Sequence, residues 1–190
     1  MIQEKILKSL ENLKNLLSDD HCLSNIQKAA DWVISSLKSG NKLIVCGNGG
    51  SAADAQHLAA EFLCRFYKDR KALAAIALTT DTSTLTAIAN DYAFEDVFSR
   101  QLEGIGKKND ILIGISTSGS SKNVLKAFQA AAKMAIRTIL LTGSVERDIA
   151  KISDLVIKAP SDDTPRIQEM HLLIEHILSE LVEKSFLNVE

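Results

Sequence analysis

The sequence predicts an α/β fold of the flavodoxin-like type, a doubly wound five-stranded parallel sheet with helices on both faces. Two observations lead to it. Five short apolar runs follow residue 42, and each is continuous rather than alternating, as expected for strands covered on both faces. Helical stretches separate these runs, and strands that alternate with helices form parallel sheets with right-handed crossovers. A chain of 190 residues, 46% of them hydrophobic, suits one such domain with an added arm.

Residues 1–40 precede the first predicted strand and form a helical hairpin. Apolar residues recur at helical spacing over 2–17 and again over 26–37, and the Ser and Asp residues at 18–20 favour a new helix start. The hairpin either packs onto its own domain or mediates subunit association, because a lone hairpin has few surfaces against which to bury itself. We assign it to oligomerisation.

Residues 41–190 form the second unit, which alternates strands and helices and ends in one long helix. The predicted strands cover residues 43–46, 73–78, 111–115, 138–141 and 155–157. The predicted helices between them cover about 52–66, 82–89, 94–102 and 121–134. Thr164 can cap the last helix, and Pro165 suits its first position. Apolar residues cover more than one narrow face of that helix, so we expect it to contact another subunit.

Charge and composition exclude several classes of protein. The formal net charge is −2 and no dense stripe of Lys and Arg occurs, which argues against a nucleic-acid binder. The three cysteines fit no zinc ribbon or disulfide framework, and Cys46, in an apolar run, is predicted to be a core residue. Because the sequence shows no signal peptide and no membrane-length apolar stretch, we expect a cytoplasmic protein without membrane contact.

Two loops rich in glycine and serine follow the first and third predicted strands. Residues 47–54 read Gly-Asn-Gly-Gly-Ser-Ala-Ala-Asp, and residues 116–121 read Ser-Thr-Ser-Gly-Ser-Ser. One such loop is equally well a plain turn or helix cap. Two of them at the carboxyl end of a parallel sheet, each leading into a helix with free N–H groups, favour an anion site. Hydroxyls without a cation suit a phosphate monoester. Neither loop is a Walker or Gly-x-Gly-x-x-Gly motif, which disfavours ATP and NAD.

The helix after the first strand carries an imidazole and a carboxylate with helical spacing. His57 and Glu61 are four residues apart and therefore share a helix face. This spacing lets both side chains meet one metal ion or one substrate, although an exposed surface pair has the same pattern. The pair is a candidate for metal binding or catalysis.

The last helix carries a second set of such groups. Periodicity alone favours His171 and Glu175 as another pair four residues apart. Gln168 and His176 are separated by about 80° around the helix and about 12 Å along it. Helical geometry therefore does not single out these two.

The loop and helix residues closely resemble those of phosphoheptose isomerases, which are sedoheptulose-7-phosphate isomerases of the sugar-isomerase (SIS) domain group. The similarity runs from about residue 2 to residue 185, with the motifs in the order of the family. The matching segments are residues 47–57 with 60–61, 86–92, 115–119 and 166–171.

This resemblance implies that the SIS domain converts sedoheptulose 7-phosphate to D-glycero-D-manno-heptose 7-phosphate, which opens ADP- or GDP-heptose synthesis for lipopolysaccharide core or capsule. It also implies a cytoplasmic homotetramer, with active sites between subunits and one zinc ion in each subunit. The zinc ligands that it implies are His57, Glu61, Gln168 and His176. The sugar and phosphate contacts that it implies are Asn48, Gly49, Gly50, Ser51, Glu61, Asn90, Asp91, Ser116, Thr117, Ser118, Ser121 and Gln168. The resemblance, rather than helical spacing, thus selects Gln168 and His176, and it leaves supporting roles to His171 and Glu175.

An aldose–ketose isomerase moves a proton between C1 and C2 through an enediol. We assign Glu61 as the base that takes the C1 proton and His176 as the partner that returns a proton at C2, and these two roles are interchangeable on the sequence alone. Zinc polarises the two oxygens as a Lewis acid, and Gln168 steadies them.

Two other functions compete with this one. Some relatives of the SIS group are adaptors for the replication initiator DnaA, which have no need of Glu61 and His176, and both residues are present here. The chain could also serve another phosphosugar, as an isomerase or as a sensor domain.

Overall fold

The computed structural model describes residues 1–187, and three layers of secondary structure build it. In chain order the elements are α1 (Ile2–Leu17), α2 (Asp20–Lys38), β1 (Leu43–Gly47), α3 (Gly50–Leu63), β2 (Ala75–Ala77), α4 (Thr82–Asp91), a 3₁₀ turn (Phe94–Asp96), α5 (Ser99–Ile105), β3 (Ile111–Ile115), α6 (Lys122–Lys133), β4 (Arg137–Thr142), α7 (Asp148–Lys151), β5 (Leu155–Lys158) and α8 (Thr164–Leu187). The last three residues of the predicted unit 41–190 lie outside the described part.

The five strands form one parallel sheet in the order β2-β1-β3-β4-β5. This order confirms the predicted flavodoxin-like fold. Strand addition reverses direction between β1 and β3, and ligands of doubly wound sheets bind in the crevice at such a reversal. The register pairs Gly47 with Ile115 at the carboxyl ends of these strands. The loops that follow β1 and β3 therefore start side by side.

Helices cover both faces of the sheet, because alternate strand residues point to opposite sides. Leu43 and Val45 face the layer formed by α2, α3 and α8. Ile44 and Cys46 face the layer that contains α5, α6 and α7. The Cys46 side chain is 0% exposed, which confirms it as a core residue.

The N-terminal hairpin is present as predicted, and its first helix is thinly covered. The Asp19 side chain accepts a hydrogen bond of 2.9 Å from the third N–H of α2, which fixes the start of that helix. Within α1, Asn12 and Leu16 are buried. By contrast, Ile2 and Leu17 are 74% and 73% exposed. An apolar stripe of α1 therefore faces away from the rest of the chain.

The long helix α8 is covered mostly within its own chain. Ile167, Ile174 and Leu178 are at most 2% exposed and belong to the core shared with α2 and α3. Leu172 is 37% exposed. The contact of α8 with another subunit stays a prediction. Among the helices within residues 1–187, none is long and apolar enough to cross a membrane.

Several boundaries differ from the sequence prediction. The helix predicted over 52–66 begins at Gly50 and ends at Leu63, so that residues 64–74 form a loop. The helix predicted over 94–102 divides into the 3₁₀ turn and α5, and the short helix α7 was not predicted. The first difference matters most, because the loop that replaces the last helical turn packs against α8.

Candidate active site

The loop after β1 is shaped by its glycines. Gly49 has a φ of 58°, in the left-handed region that favours glycine, and a Cβ at Gly47 would overlap with the backbone of Ser51. The N–H of Ser51 donates to the carbonyl of Asn48 at 3.0 Å, which closes the turn into α3. The N–H groups of Ala52 and Ala53 likewise donate to the carbonyl of Gly49, so most of the first N–H groups of α3 are engaged within the turn itself.

The first turn of α6, which follows the loop after β3, is tied to the loop after β1 by a reciprocal amide pair. The Asn48 and Asn123 side chains each donate to the other, with both N···O distances at 2.8 Å. The side-chain oxygen of Asn123 also accepts from the N–H of Val124 at 3.0 Å. Ser116 and Ser121 lie with their hydroxyl oxygens 3.0 Å apart. The two predicted phosphate loops thus form one connected rim.

Two further hydroxyl residues of the rim line a cavity. Thr117 and Ser118 face a space of about 410 Å³ that Ser161 and Arg147 also border. Arg147 was not predicted from the sequence, and it provides a cation at this end of the sheet.

His57, Glu61 and His176 come together between α3 and α8. The two Nε2 atoms of the histidines are 2.9 Å apart, and the Nε2 of His57 is 3.4 Å from a carboxylate oxygen of Glu61. One ligand atom from each of the three residues lies within 4.8 Å of the others. The side chains of His57 and Glu61 are 42% and 21% exposed, so the group is open to solvent and to ligand.

This donor set fits a divalent metal ion. Imidazole nitrogen and carboxylate oxygen are ligands that zinc and similar ions accept, and a tetrahedral site holds neighbouring ligand atoms roughly 3.3 Å apart. The separations of 2.9 Å and 3.4 Å are close to that spacing. The predicted fourth ligand, Gln168, lies against the first turn of α3, because a Cβ at Gly50 would overlap with its side-chain amide.

Asn90 and Asp91 lie on α4 and not on the helices that carry the proposed metal ligands. Both are exposed at the C-terminal end of α4, where the Asn90 side chain donates to Asp91 at 2.8 Å. Eight helical residues precede them in α4, a distance of about 12 Å along the axis. Neither residue belongs to the group of ligand atoms on α3 and α8.

His171 and Glu175, the pair that periodicity favours, are core residues. Both are 0% exposed. Burial lowers the pKa of His171 to about 4, although its contact with the carbonyl of Thr142 acts in the opposite direction. Burial, followed by the nearby charge of Asp54, raises the pKa of Glu175 to about 9. These shifts favour a neutral imidazole and a neutral carboxyl group at pH 7.

Three further residues, near the group on α3 and α8, were not predicted from the sequence. Phe66 lies in the loop after α3, with its ring centroid 5.8 Å from that of His176. Arg70 and Glu183 form a buried ion pair beneath this loop. One signal was available, since Glu183 lies on the apolar face of α8, where a charged group needs a partner.

Known proteins share this architecture over nearly the whole chain. A family model described as the SIS domain matches residues 6–143. The phosphoheptose isomerase of Helicobacter pylori (strain P12) is 50% identical over 184 residues, covering 97% of this chain and 91% of that protein. A phosphoheptose isomerase structure from Francisella tularensis has a TM-score of 0.93 at 35% identity, with 96% of each chain covered. Phosphoheptose isomerase GmhA from Neisseria gonorrhoeae has a TM-score of 0.85 at 40% identity, covering 97% of this chain and 100% of that one.

The fold, the two crevice loops and the matched model define a protein of the SIS domain class. Sequence identity at this level over nearly the full length indicates a closer relationship than a shared fold alone. The chain belongs to the phosphoheptose isomerase family.

Proposed function

We propose that this chain is an aldose–ketose isomerase that converts sedoheptulose 7-phosphate to D-glycero-D-manno-heptose 7-phosphate. The observation that carries the proposal is the meeting of Glu61 and His176, from helices far apart in sequence, within one group of ligand atoms no more than 4.8 Å apart. Proton transfer at adjacent carbons needs a base and an acid within hydrogen-bond reach of one substrate. Family membership supports the choice of substrate.

In the proposed reaction Glu61 and His176 move the protons. The Glu61 carboxylate takes a proton from C1 of the open-chain ketose, the C1–H electron pair forms the C1–C2 double bond, and the π pair of the C2 carbonyl moves onto O2. The His176 imidazole then donates an N–H proton to C2, which takes up the electron pair of the double bond, while the O1 hydroxyl proton passes to O2 and C1 becomes a carbonyl. The product is the 2-hydroxy aldehyde. Water resets both side chains, since the Glu61 side chain is 21% exposed. In the reverse direction the two residues exchange roles.

His57, Glu61, Gln168 and His176 are the residues that we propose to hold one zinc ion per subunit. When bound, zinc supplies Lewis-acid polarisation of the oxygens at C1 and C2. Three of these residues form the group on α3 and α8. Gln168 belongs to α8 as well, and its side-chain amide lies against Gly50 in the first turn of α3. In this arrangement Gln168 donates a hydrogen bond to a substrate oxygen and orients the reacting carbons.

The phosphate group is proposed to lie on the rim formed by the two crevice loops. Ser51, Ser116, Thr117, Ser118 and Ser121 supply hydroxyl and backbone donors there. The glycine backbone at Gly49 and Gly50 permits close approach, and Asn48 contacts the sugar hydroxyls. Neutral donors and helix N-termini suffice to bind a phosphate monoester. Anchoring at the far end of the sugar places C1 and C2 towards Glu61 and His176.

A homotetramer is the proposed assembly, with residues 1–40 as its association unit and the active sites between subunits. The exposed apolar stripe of α1 supports this, because burying such a stripe is favourable. In the tetramer Asn90 and Asp91 would serve the site of a neighbouring subunit, which accounts for their place outside the group on α3 and α8. The product would feed heptose synthesis in the cytoplasm, for lipopolysaccharide core or capsule.

Steady-state kinetics test the proposal. We expect the purified protein to convert sedoheptulose 7-phosphate, and Glu61→Gln and His176→Gln each to lower kcat by about 10²-fold or more, as for a lost acid–base group. His21→Gln is the matched control, because His21 is exposed on α2 and contacts Asn25. Near-normal turnover by either site variant would refute that role. If the protein converts a different ketose phosphate instead, the assigned substrate is wrong. If it binds DnaA and converts no sugar phosphate, the adaptor function is favoured.

A further inference from the structure

A buried ion pair lies beneath the loop that follows α3. The Nε atom of Arg70 is 3.3 Å from a carboxylate oxygen of Glu183, and the two side chains are 5% and 2% exposed. Arg70 belongs to the loop of residues 64–74, whereas Glu183 belongs to α8. The pair therefore joins α8, which carries His176, to the loop that directly follows the helix of Glu61.

Glu183 fixes the path of the loop through its backbone. Its carboxylate accepts hydrogen bonds from the N–H groups of Phe66 and Tyr67 at 2.8 Å and from that of Lys68 at 3.2 Å. These bonds hold the Phe66 ring beside His176, with the centroids 5.8 Å apart. On this side the pair controls what packs against the proposed acid.

Arg70 reaches the opposite side of the site. Its two terminal nitrogens donate to the carbonyls of Glu61 and Phe62, each at 2.8 Å. These carbonyls belong to the last turn of α3, where helix carbonyls have no partner within the helix. The guanidinium therefore acts as a cap on the turn that carries Glu61, and it holds that turn against the loop.

The energetics favour a role beyond stability. Apolar residues of similar volume often stabilise a core as well as or better than a buried ion pair. Burial alone would raise the pKa of Glu183, but the three N–H donors, together with the charge of Arg70, outweigh burial and leave its pKa below the ordinary value. The carboxylate is thus charged at neutral pH and fully engaged, with each of its contacts leading to the loop or to Arg70.

We propose that Arg70 and Glu183 are positioning residues, which set the placement of Glu61 relative to His176 through the last turn of α3 and the Phe66 ring. The inference rests on the proposed function, because it assigns these two residues to the same site. Neither residue touches substrate or takes part in proton transfer.

A matched control for substitutions of these residues lies at the opposite end of the strands, where their amino termini are. Asp110 is 0% exposed and accepts hydrogen bonds from the side chain of Lys42 at 2.6 Å and from the backbone N–H of Lys107 at 2.8 Å. This pair lies where β1 and β3 begin, whereas the site lies beyond their carboxyl ends. Asp110→Asn therefore breaks a comparable buried network without touching α3 or α8.

The test compares Arg70→Lys and Glu183→Gln with Asp110→Asn in the full chain. We expect the first two to weaken zinc affinity by about 10- to 100-fold, measured by competition with a chelator. Their kcat should fall by about 10- to 100-fold with KM changed less than about twofold, as for misplaced reacting groups. Arg70→Lys keeps the charge opposite Glu183 but lacks the fork that reaches two carbonyls, so it provides a folded variant if Glu183→Gln does not fold.

A third measurement separates this inference from the proposed function. In the metal-free proteins, the ring resonances of His57 and His176 should shift in both positioning variants and stay in place in Asp110→Asn. If the wild-type chain lacks isomerase activity, these spectra and the zinc titration still report on placement. The inference would be overturned if Arg70→Lys and Glu183→Gln kept the kcat, the zinc affinity and the ring resonances of the wild-type protein while losing stability as Asp110→Asn does. The ion pair would then have a purely structural role.

Discussion

Two glutamates on α8 are buried to the same extent but have opposite pKa shifts, because their neighbours differ. Glu175 is 0% exposed and Glu183 is 2% exposed, and eight residues separate them on one side of the helix. Glu183 accepts three backbone hydrogen bonds and faces Arg70. Neither carboxyl oxygen of Glu175 has a hydrogen-bond partner among residues 1–187. The difference shows that burial alone does not decide the charge of a carboxyl group, since its neighbours do.

The opposite pKa shifts give the two residues opposite effects on stability. The pKa of Glu183 lies below its ordinary value, so its contribution is present at neutral pH and is lost as the pH falls through the pKa of the folded state. The pKa of Glu175 is about 9, so its contribution is present in acid and is lost as the pH rises from about 4.5 towards 9. Substitutions along this helix can test the contrast.

The largest effect is expected from Glu183→Gln. Removing the charge leaves the Arg70 guanidinium buried without a counterion, and breaking such a pair costs about 3–5 kcal/mol. Urea unfolding at pH 7 should show this loss in the free energy of unfolding. If the free energy of unfolding falls by less than about 1 kcal/mol, the Arg70 guanidinium reaches solvent in the variant. The stability difference between Glu183 and Glu175 would then be smaller than their contacts imply.

Glu175→Gln should act in the opposite direction. A neutral amide replaces a carboxyl group that the unfolded chain ionises above pH 4.5 and the folded chain keeps protonated to about 9. The variant should therefore gain up to about 3 kcal/mol at pH 7, at about 1.4 kcal/mol per pH unit. Unfolding between pH 5 and 8 measures both the gain and the flattened pH dependence. Equal or lower stability of the variant at pH 8 would contradict the expected neutral state of Glu175.

His171, one turn before Glu175, should lower the free energy of unfolding at acid pH. Its pKa is about 4 in the folded protein against 6.5 ordinarily, so the unfolded chain takes up the proton first as the pH falls. The wild-type protein should lose about 2 kcal/mol between pH 7 and 5 that His171→Gln does not lose. Parallel pH profiles for the two proteins would show that His171 gains a proton without unfolding.

Glu180 on the same helix completes the series with the smallest effect. Its carboxylate is 2.7 Å from Lys184, but both side chains reach solvent, at 38% and 66% exposure. Exposed pairs contribute little because water and salt screen them. Glu180→Gln should leave the unfolding midpoint unchanged within measurement error. A clear shift would indicate that this face of α8 is covered in the assembled protein.

Most of the fold follows from local pattern. The strand predicted over 111–115 is observed over the same residues. A short, continuous apolar run between polar loops is typical of a strand that is buried on both faces. The helix predicted to reach residue 66 stops at Leu63 for a tertiary reason. Glu183 takes the N–H groups of the next residues and Arg70 takes the last helix carbonyls. A partner such as Glu183, more than a hundred residues away, is invisible to a local pattern.

The site shows the same division between local and distant information. The spacing of His57 and Glu61 indicates a shared face, and the two side chains do approach within 3.4 Å. Spacing within α8 favours His171, which is buried. The position of His176 at the site depends on how α8 packs against α3. The resemblance to phosphoheptose isomerases favours His176, and the structure places its ring next to His57. Which of the predicted site residues contact the substrate stays a prediction.

The reciprocal amide pair of the crevice has a consequence for recognition. An amide group reads a ligand differently when it is rotated end for end, because its donor and acceptor exchange places. The N–H of Val124 donates to one end of the Asn123 amide, which identifies that end as the oxygen. The other end must then be the nitrogen that faces Asn48, and this fixes the polarity of Asn48 as well. A single main-chain N–H on α6 therefore determines which end of the Asn48 amide is the hydrogen-bond donor and which end is the acceptor.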